Sequence, residues 1–154
     1  MLHHLRLPIA ATLLAASALA AAQSNAWLEW VAANSPHGYD VTPDGTIWIN
    51  LLKVGLRDDY AVRAGDLRAA RETIASNPRP KFWIRGYHVR NYDVNYRETK
   101  SFYQLDCVNE QVKGLFVGYY DKNGNLISQQ SEQIFSPIVP GTYYSVFYRL
   151  FCTK

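Results

Sequence analysis

The apolar and polar positions along the chain fall into regions of different texture. The first is one continuous apolar run, the 16 residues from Leu7 to Ala22, with Arg6 before it and polar Gln23, Ser24 and Asn25 after it. A membrane span needs about 20 strongly apolar residues, and the Ala-rich end of this run is only weakly hydrophobic. The layout is that of a secretory signal peptide, with small-x-small cleavage sites at Ala18-Leu19-Ala20 and Ala20-Ala21-Ala22. An uncleaved anchor is the lesser alternative. Processing after Ala22 leaves 132 residues, the size of one domain. The expected organisation is therefore a cleaved signal peptide over 1–22 and a single domain over 23–154. No cysteine lies near the cut to carry a lipid, and no second apolar run of membrane length follows.

Beyond the leader the pattern becomes short and β-like. "AWLEWV", Ala26 to Val31, reads as a first strand, and "TIWINLL", Thr46 to Leu52, as the next. Asp44-Gly45 punctuates a turn between them. "AGDLRAARETIASNP" changes period: Leu67, Ala70 and Ile74 fall on one helical face, Asp66 is placed to cap the helix, and Asn77-Pro78 ends it. "KFWIRGYHVR", Lys81 to Arg90, returns to strand. Phe82, Ile84, Tyr87 and Val89 cannot share one face by strict alternation, so Gly86 is expected to mark a bulge. Asn123-Gly124 between two strand-like runs is the strongest hairpin signal, because both residues tolerate positive φ. Lys100 to Gln133 thus reads as a three-stranded antiparallel meander, after which "SPIVPG" breaks the sheet.

The closing run "TYYSVFYRLFC" has two readings. Its aromatic content suits a strand. Its period favours a helix: Thr142, Ser145, Arg149 and Thr153 make a polar stripe, opposite Tyr143, Phe147, Leu150 and Phe151. Taken as a helix capped by Thr142, it gives an α+β class. The expected fold is mainly an antiparallel β-sheet of about five to six strands, with one short helix in the first half and a C-terminal helix.

Two cysteines, Cys107 and Cys152, are the whole complement. In an exported chain two cysteines most simply pair, which would staple the last helix to the middle of the chain. Closing a loop of 45 positions stabilises by roughly 4 kcal/mol in the chain-entropy model. The alternatives are a reactive thiol, which would need a base such as His88, and a zinc site, which would need further ligands nearby.

Other chemistry is sparse. His37 and His88 are the histidines beyond the leader, and no G-x-S-x-G or other nucleophile motif accompanies them, so both read as structural or surface residues. Asp58-Asp59 lacks EF-hand spacing and reads as solvated. No Gly-rich phosphate loop occurs. Neither catalysis, a metal nor a cofactor is expected. After processing, 15 Lys+Arg face 13 Asp+Glu, too near balance to argue for nucleic acid.

From Lys81 to Cys152 the chain resembles the surface-adhesin protein E-like family of exported bacterial proteins. The residues that carry the resemblance run in order. They are "KFWIR" with Trp83, the linker "NYDVNYRETKS", "LDC", "YYDKNGNLI", the "PIVPGT" turn and the closing cysteine. The resemblance implies an antiparallel sheet with a C-terminal helix held to it by a disulfide. It also implies an adhesin that binds host matrix or serum proteins.

Charge adds one feature. From Arg57 to Lys100 there are ten Lys/Arg against six Asp/Glu. Within it Arg85, Arg90, Arg97 and Lys100 interleave with Tyr87, Tyr92 and Tyr96, residue types favoured at protein interfaces. The plain reading is a solvated strand edge and loop; the functional one is a binding patch. The leading expectation is an exported, non-enzymatic domain that recognises a protein partner. The alternative is a periplasmic accessory protein of the envelope without a host ligand.

Overall fold

The computed structural model describes residues 26–51 and 58–153. The proposed signal peptide, and the segment 52–57 with Gly55 and Arg57, lie outside the described residues. The chain divides into two compact units, Met1–Asn34 and Ser35–Lys154. Of the first, only its end is described. Residues 26–33 form a helix, α1, where the short aromatic run suggested a strand. Trp27, Leu28, Trp30 and Val31 are spaced i, i+1, i+3, i+4, which is a helical stripe. Trp27 and Trp30 stack at 5.3 Å, and the Asn34 amide nitrogen, Nδ2, donates to the Trp30 carbonyl to close the last turn.

The second unit is an antiparallel sheet whose path follows the chain. The strands are β1 (Tyr39–Val41), β2 (Ile47–Asn50), β3 (Asp59–Arg63), β4 (Lys81–Tyr87), β5 (Glu98–Asp106), β6 (Gln111–Tyr120) and β7 (Leu126–Gln130). A two-residue β8 (Ser136–Pro137) pairs with β6 as well. Among the described residues there are thus eight strands rather than five or six, and the additions are short. Pro137 is tolerated because β8 sits at an edge, where a missing N–H breaks no ladder. The expected meander is β5-β6-β7. Its hairpin turns on Gly124 at φ +82°, and Asn123 does not take positive φ. The Asp121 carboxylate instead accepts from the Asn123 and Asn125 amides.

Helix α2 (Ala64–Thr73) follows β3 with no intervening turn. Its N-cap is Arg63, with no side-chain capping bond. Asp66 lies inside the first turn and does something else. It pairs with Arg63 and accepts the Trp83 backbone N–H at 2.7 Å. The last β3–β4 pair is Val62 opposite Ile84, so the Asp66 carboxylate serves the next backbone donor along β4.

Gly86 is not a bulge, since it pairs in register with both Tyr60 and Thr99. The inward set on β4 is Phe82, Ile84, Gly86 and then His88, all buried. Alternation holds once glycine and histidine are counted as inward. The bulge lies on β6 at Leu115, between Gly114 opposite Tyr103 and Phe116 opposite Phe102.

Helix α3 (Tyr143–Cys152) packs on the inward face. Phe147 and Phe151 are fully buried, and Phe82 from β4 stacks on Phe151 at 4.0 Å. Phe82, Ile84, Val62, Leu67 and Leu105 complete this core. Thr142 is the N-cap residue, but its hydroxyl donates to the Val139 carbonyl rather than capping the helix.

Cys107 and Cys152 are joined, Cα to Cα 5.4 Å. Cys107 follows the last residue of β5, and the residue before it organises the turn. Asp106 is 1% exposed. Its carboxylate accepts from the Val108 and Asn109 amides, the Asn109 side chain and the Arg79 guanidinium. These donors, Asn109 foremost, hold its pKa below the ordinary carboxylate value against the opposing effect of burial. A depressed carboxylate stabilises the fold above its unfolded pKa and loses that contribution as pH falls through its folded one. Asp106→Ala is therefore expected to lower neutral-pH stability by roughly 2–3 kcal/mol, the cost of orphaning donors to a charged acceptor. The gap from wild type should shrink as pH drops below the carboxylate range. Denaturant unfolding across pH measures both; a gap independent of pH in acid contradicts the assignment.

Candidate functional site

Directly opposed residues of an antiparallel pair share a face, so the register sorts the predicted patch. Arg85 stands opposite Lys100, and Tyr87 opposite Glu98, on the face away from α3. Arg85 pairs with Glu98. Its guanidinium also lies 5.0 Å from the Tyr87 ring and 6.0 Å from Trp48. The Lys100 ammonium lies 4.7 Å from the Tyr120 ring. Trp83 stacks on Phe102 at 5.0 Å and lies 6.0 Å from Phe116. The face thus combines half-buried aromatic rings with cations held over them, an arrangement worth about 0.5–1 kcal/mol per contact at exposed sites.

The other predicted residues go elsewhere. Arg90 follows β4 and makes a two-pronged pair with Asp59 at 2.8 Å. Tyr92 is 85% exposed on the loop. Arg97 donates to the Val94 and Tyr96 carbonyls and so closes that loop on itself. Tyr96 turns to the α3 side, its ring edge-on to His88 and Tyr119. Sequence reasoning missed Trp48, Phe102, Phe116 and Tyr120 as members of the outer face. Alternation along β5 from Lys100 would have found Phe102.

The α3 side holds a cavity of about 160 Å³. Its floor is a hydrogen-bonded chain: Asp58 to His88 Nδ1 at 2.8 Å, and His88 Nε2 to the Thr99 hydroxyl at 3.1 Å. His88 is 5% exposed, a structural histidine with both ring nitrogens engaged. Gly86 makes room for it: a Cβ there would stand 2.5 Å from Thr99 Oγ1 and 3.0 Å from His88 Nε2. Six tyrosines contribute to the walls: Tyr60, Tyr96, Tyr103, Tyr119, Tyr143 and Tyr144. Burial pushes the Tyr60, Tyr103 and Tyr143 hydroxyls well above their ordinary pKa, and the Asp58 charge adds to the effect at Tyr60. These hydroxyls stay neutral through the physiological range. Asp58, expected to be solvated, is instead tied to His88, while Asp59 pairs with Arg90 in an exposed ion pair. His37 is exposed. Among the described residues no three His, Cys, Asp or Glu side chains group to hold a metal, and no helix is long and apolar enough to cross a membrane.

The fold defines a class: a small α+β domain with one long antiparallel meander and a C-terminal helix locked to it by a disulfide. The family model for Surface-adhesin protein E matches residues 43–153. The chain belongs to that family, and the match spans the sheet from β2 onward, α2, α3 and both cysteines. No curated protein and no solved structure matches the chain significantly.

Proposed function

We propose that this chain is an exported, non-enzymatic adhesin that binds a protein partner through the sheet face opposite α3. A host matrix or serum protein is the partner class that family membership favours. The observation that carries the reading is the composition of that face. Trp48, Trp83, Phe102, Phe116 and Tyr120 are all half-buried rather than packed away, with Arg85 and Lys100 among them. Aromatic and arginine side chains dominate the energetics of protein interfaces, because they bury large area with few rotors and keep polar contacts. The cations favour an acidic patch on the partner and accelerate encounter at low salt. The signal-like leader supports export, with the mature chain beginning at Ala21 or Gln23.

The test is binding of the processed chain to immobilised matrix and serum proteins, with Trp83→Ala and Lys100→Glu as probes. Trp83→Ala is expected to weaken binding at least about tenfold, as for an interface anchor. Lys100→Glu is expected to slow association and flatten its salt dependence, since charges are screened over about 10 Å at 0.1 M salt. Unchanged affinity in both, with the fold intact by circular dichroism, would sink the assignment of this face.

A further inference from the structure

We propose that the tyrosine-lined cavity beneath α3 is a second binding site, one for a small quaternary or methylated ammonium group. It lies on the opposite face of the sheet from the proposed protein interface and is independent of it.

The lining sets the sign of the ligand. Asp58 contributes a carboxylate at the floor, and Glu132 another at the rim. Among the described lining residues there is no lysine or arginine. The one histidine, His88, already has both ring nitrogens engaged by Asp58 and Thr99, so an anion would meet two carboxylates with no free cation to receive it, at a cost that grows as water is excluded. A cation meets the reverse. Aromatic rings come from β3, the loop before β5, β5, β6 and α3, so they approach from several directions. Tyr60 stacks near Tyr143 at 5.3 Å, and Tyr103 stands edge-on to Tyr144 at 5.5 Å. Rings grouped around a pocket attract cations through their quadrupoles, and such cages recognise quaternary ammonium ligands.

Two further observations narrow the class. Every buried side-chain nitrogen and oxygen among the described residues already has a hydrogen-bond partner. The buried part of the lining therefore offers a ligand tyrosine rings rather than unpartnered acceptors, which suits a methylated ammonium, while the exposed Glu132 carboxylate supplies charge at the mouth. The cavity of about 160 Å³ has room for roughly five waters. That suits a trimethylammonium head group and not a drug-sized ligand. Glu132 is exposed, and its hydrogen bond from the Gly114 amide is long, 3.4 Å. It is thus placed to meet a cation entering from solvent.

The experiment is a calorimetric and NMR titration of the processed chain with choline and with its uncharged carbon isostere. Choline is expected to bind saturably, the isostere at least about tenfold more weakly. Glu132→Gln removes a charge without removing a buried contact, and is expected to weaken choline binding about threefold to tenfold. Tyr144→Leu is expected to weaken it by a similar factor. Shifts on choline binding should map to Thr99, Tyr103 and Tyr144. Absence of saturable choline binding overturns the site. So does equal affinity for the isostere, or a shift map confined to the opposite sheet face. Either variant binding choline as wild type does, with its fold intact, would also overturn it.

Discussion

Phe147→Ala is expected to cost roughly 3–5 kcal/mol, the range for an aromatic truncated in a core that cannot close around the gap. Phe147 has 0% exposure. Its ring lies 5.8 Å from Phe82, 6.2 Å from Tyr103 and 6.3 Å from Tyr60, so its neighbours come from β4, β5 and β3. A helix can relax towards a void on one side, but three strands tied by a ladder cannot all move inward. Small domains are stable by only about 5–15 kcal/mol, so the variant should sit near the threshold of folding. The prediction is a large drop in denaturant midpoint with an unchanged slope. A loss below about 1 kcal/mol would mean that α3 is not the cover of this sheet. Arg149, exposed on the polar stripe away from the core, should show no comparable loss.

Cys152→Ser is expected to cost about 2–4 kcal/mol, most of it through the freed unfolded chain. The bridge joins the last residue of α3 to the residue after β5, across a sequence separation of 45. Other contacts hold the same join. The Tyr148 hydroxyl donates to the Cys107 carbonyl at 3.2 Å, and Phe151 remains stacked on Phe82. The helix should therefore stay docked in the variant, with fraying confined to its last turn. Hydrogen exchange should show faster exchange around Arg149–Thr153 and slow exchange still at Phe147. Thiol labelling should find no free cysteine in the native protein and a reactive Cys107 in the variant. Loss of protection throughout α3 would show instead that the bridge, and not the aromatic core, keeps the helix on the sheet. Both predictions bear on the proposed adhesion, because the same strands that α3 braces carry the outer aromatic face.

Much of the fold was legible where the determinant was local. The β6–β7 hairpin follows from glycine's freedom at φ > 0 at Gly124. Helix α3 follows from a 3.6-residue stripe ten residues long, and α2 from the spacing of Leu67 and Ala70. The bridge follows from a count of two cysteines in a chain whose leader reads as an export signal. Elements without a local signature were lost. Strand β3 runs straight into α2 with no turn residue between, so nothing in the sequence separates them. The apolar spacing at Trp27–Val31 fits a helical stripe better than alternation, yet its aromatic content argued for a strand.

The candidate sites depended on what no single stretch contains. Arg85, Tyr87 and Lys100 gather on one face because Arg85 pairs with Lys100 in the ladder; Tyr96, next to Arg97 in sequence, turns to the other. Parity through Gly86 is invisible to a hydrophobic pattern, since glycine and histidine do not count as apolar, yet it places His88 in the floor of the cavity. That cavity takes its tyrosines from positions 60 to 144, and only cross-strand register and the docking of α3 bring them within a few ångströms. The sequence by itself determined the helical period of the C-terminal segment, the tight turns and the pairing of the cysteines, because these rest on backbone preference and residue count. The tertiary structure alone decided which side chains share a face and which share a cavity, because facing is a property of pairs of strands and not of either one.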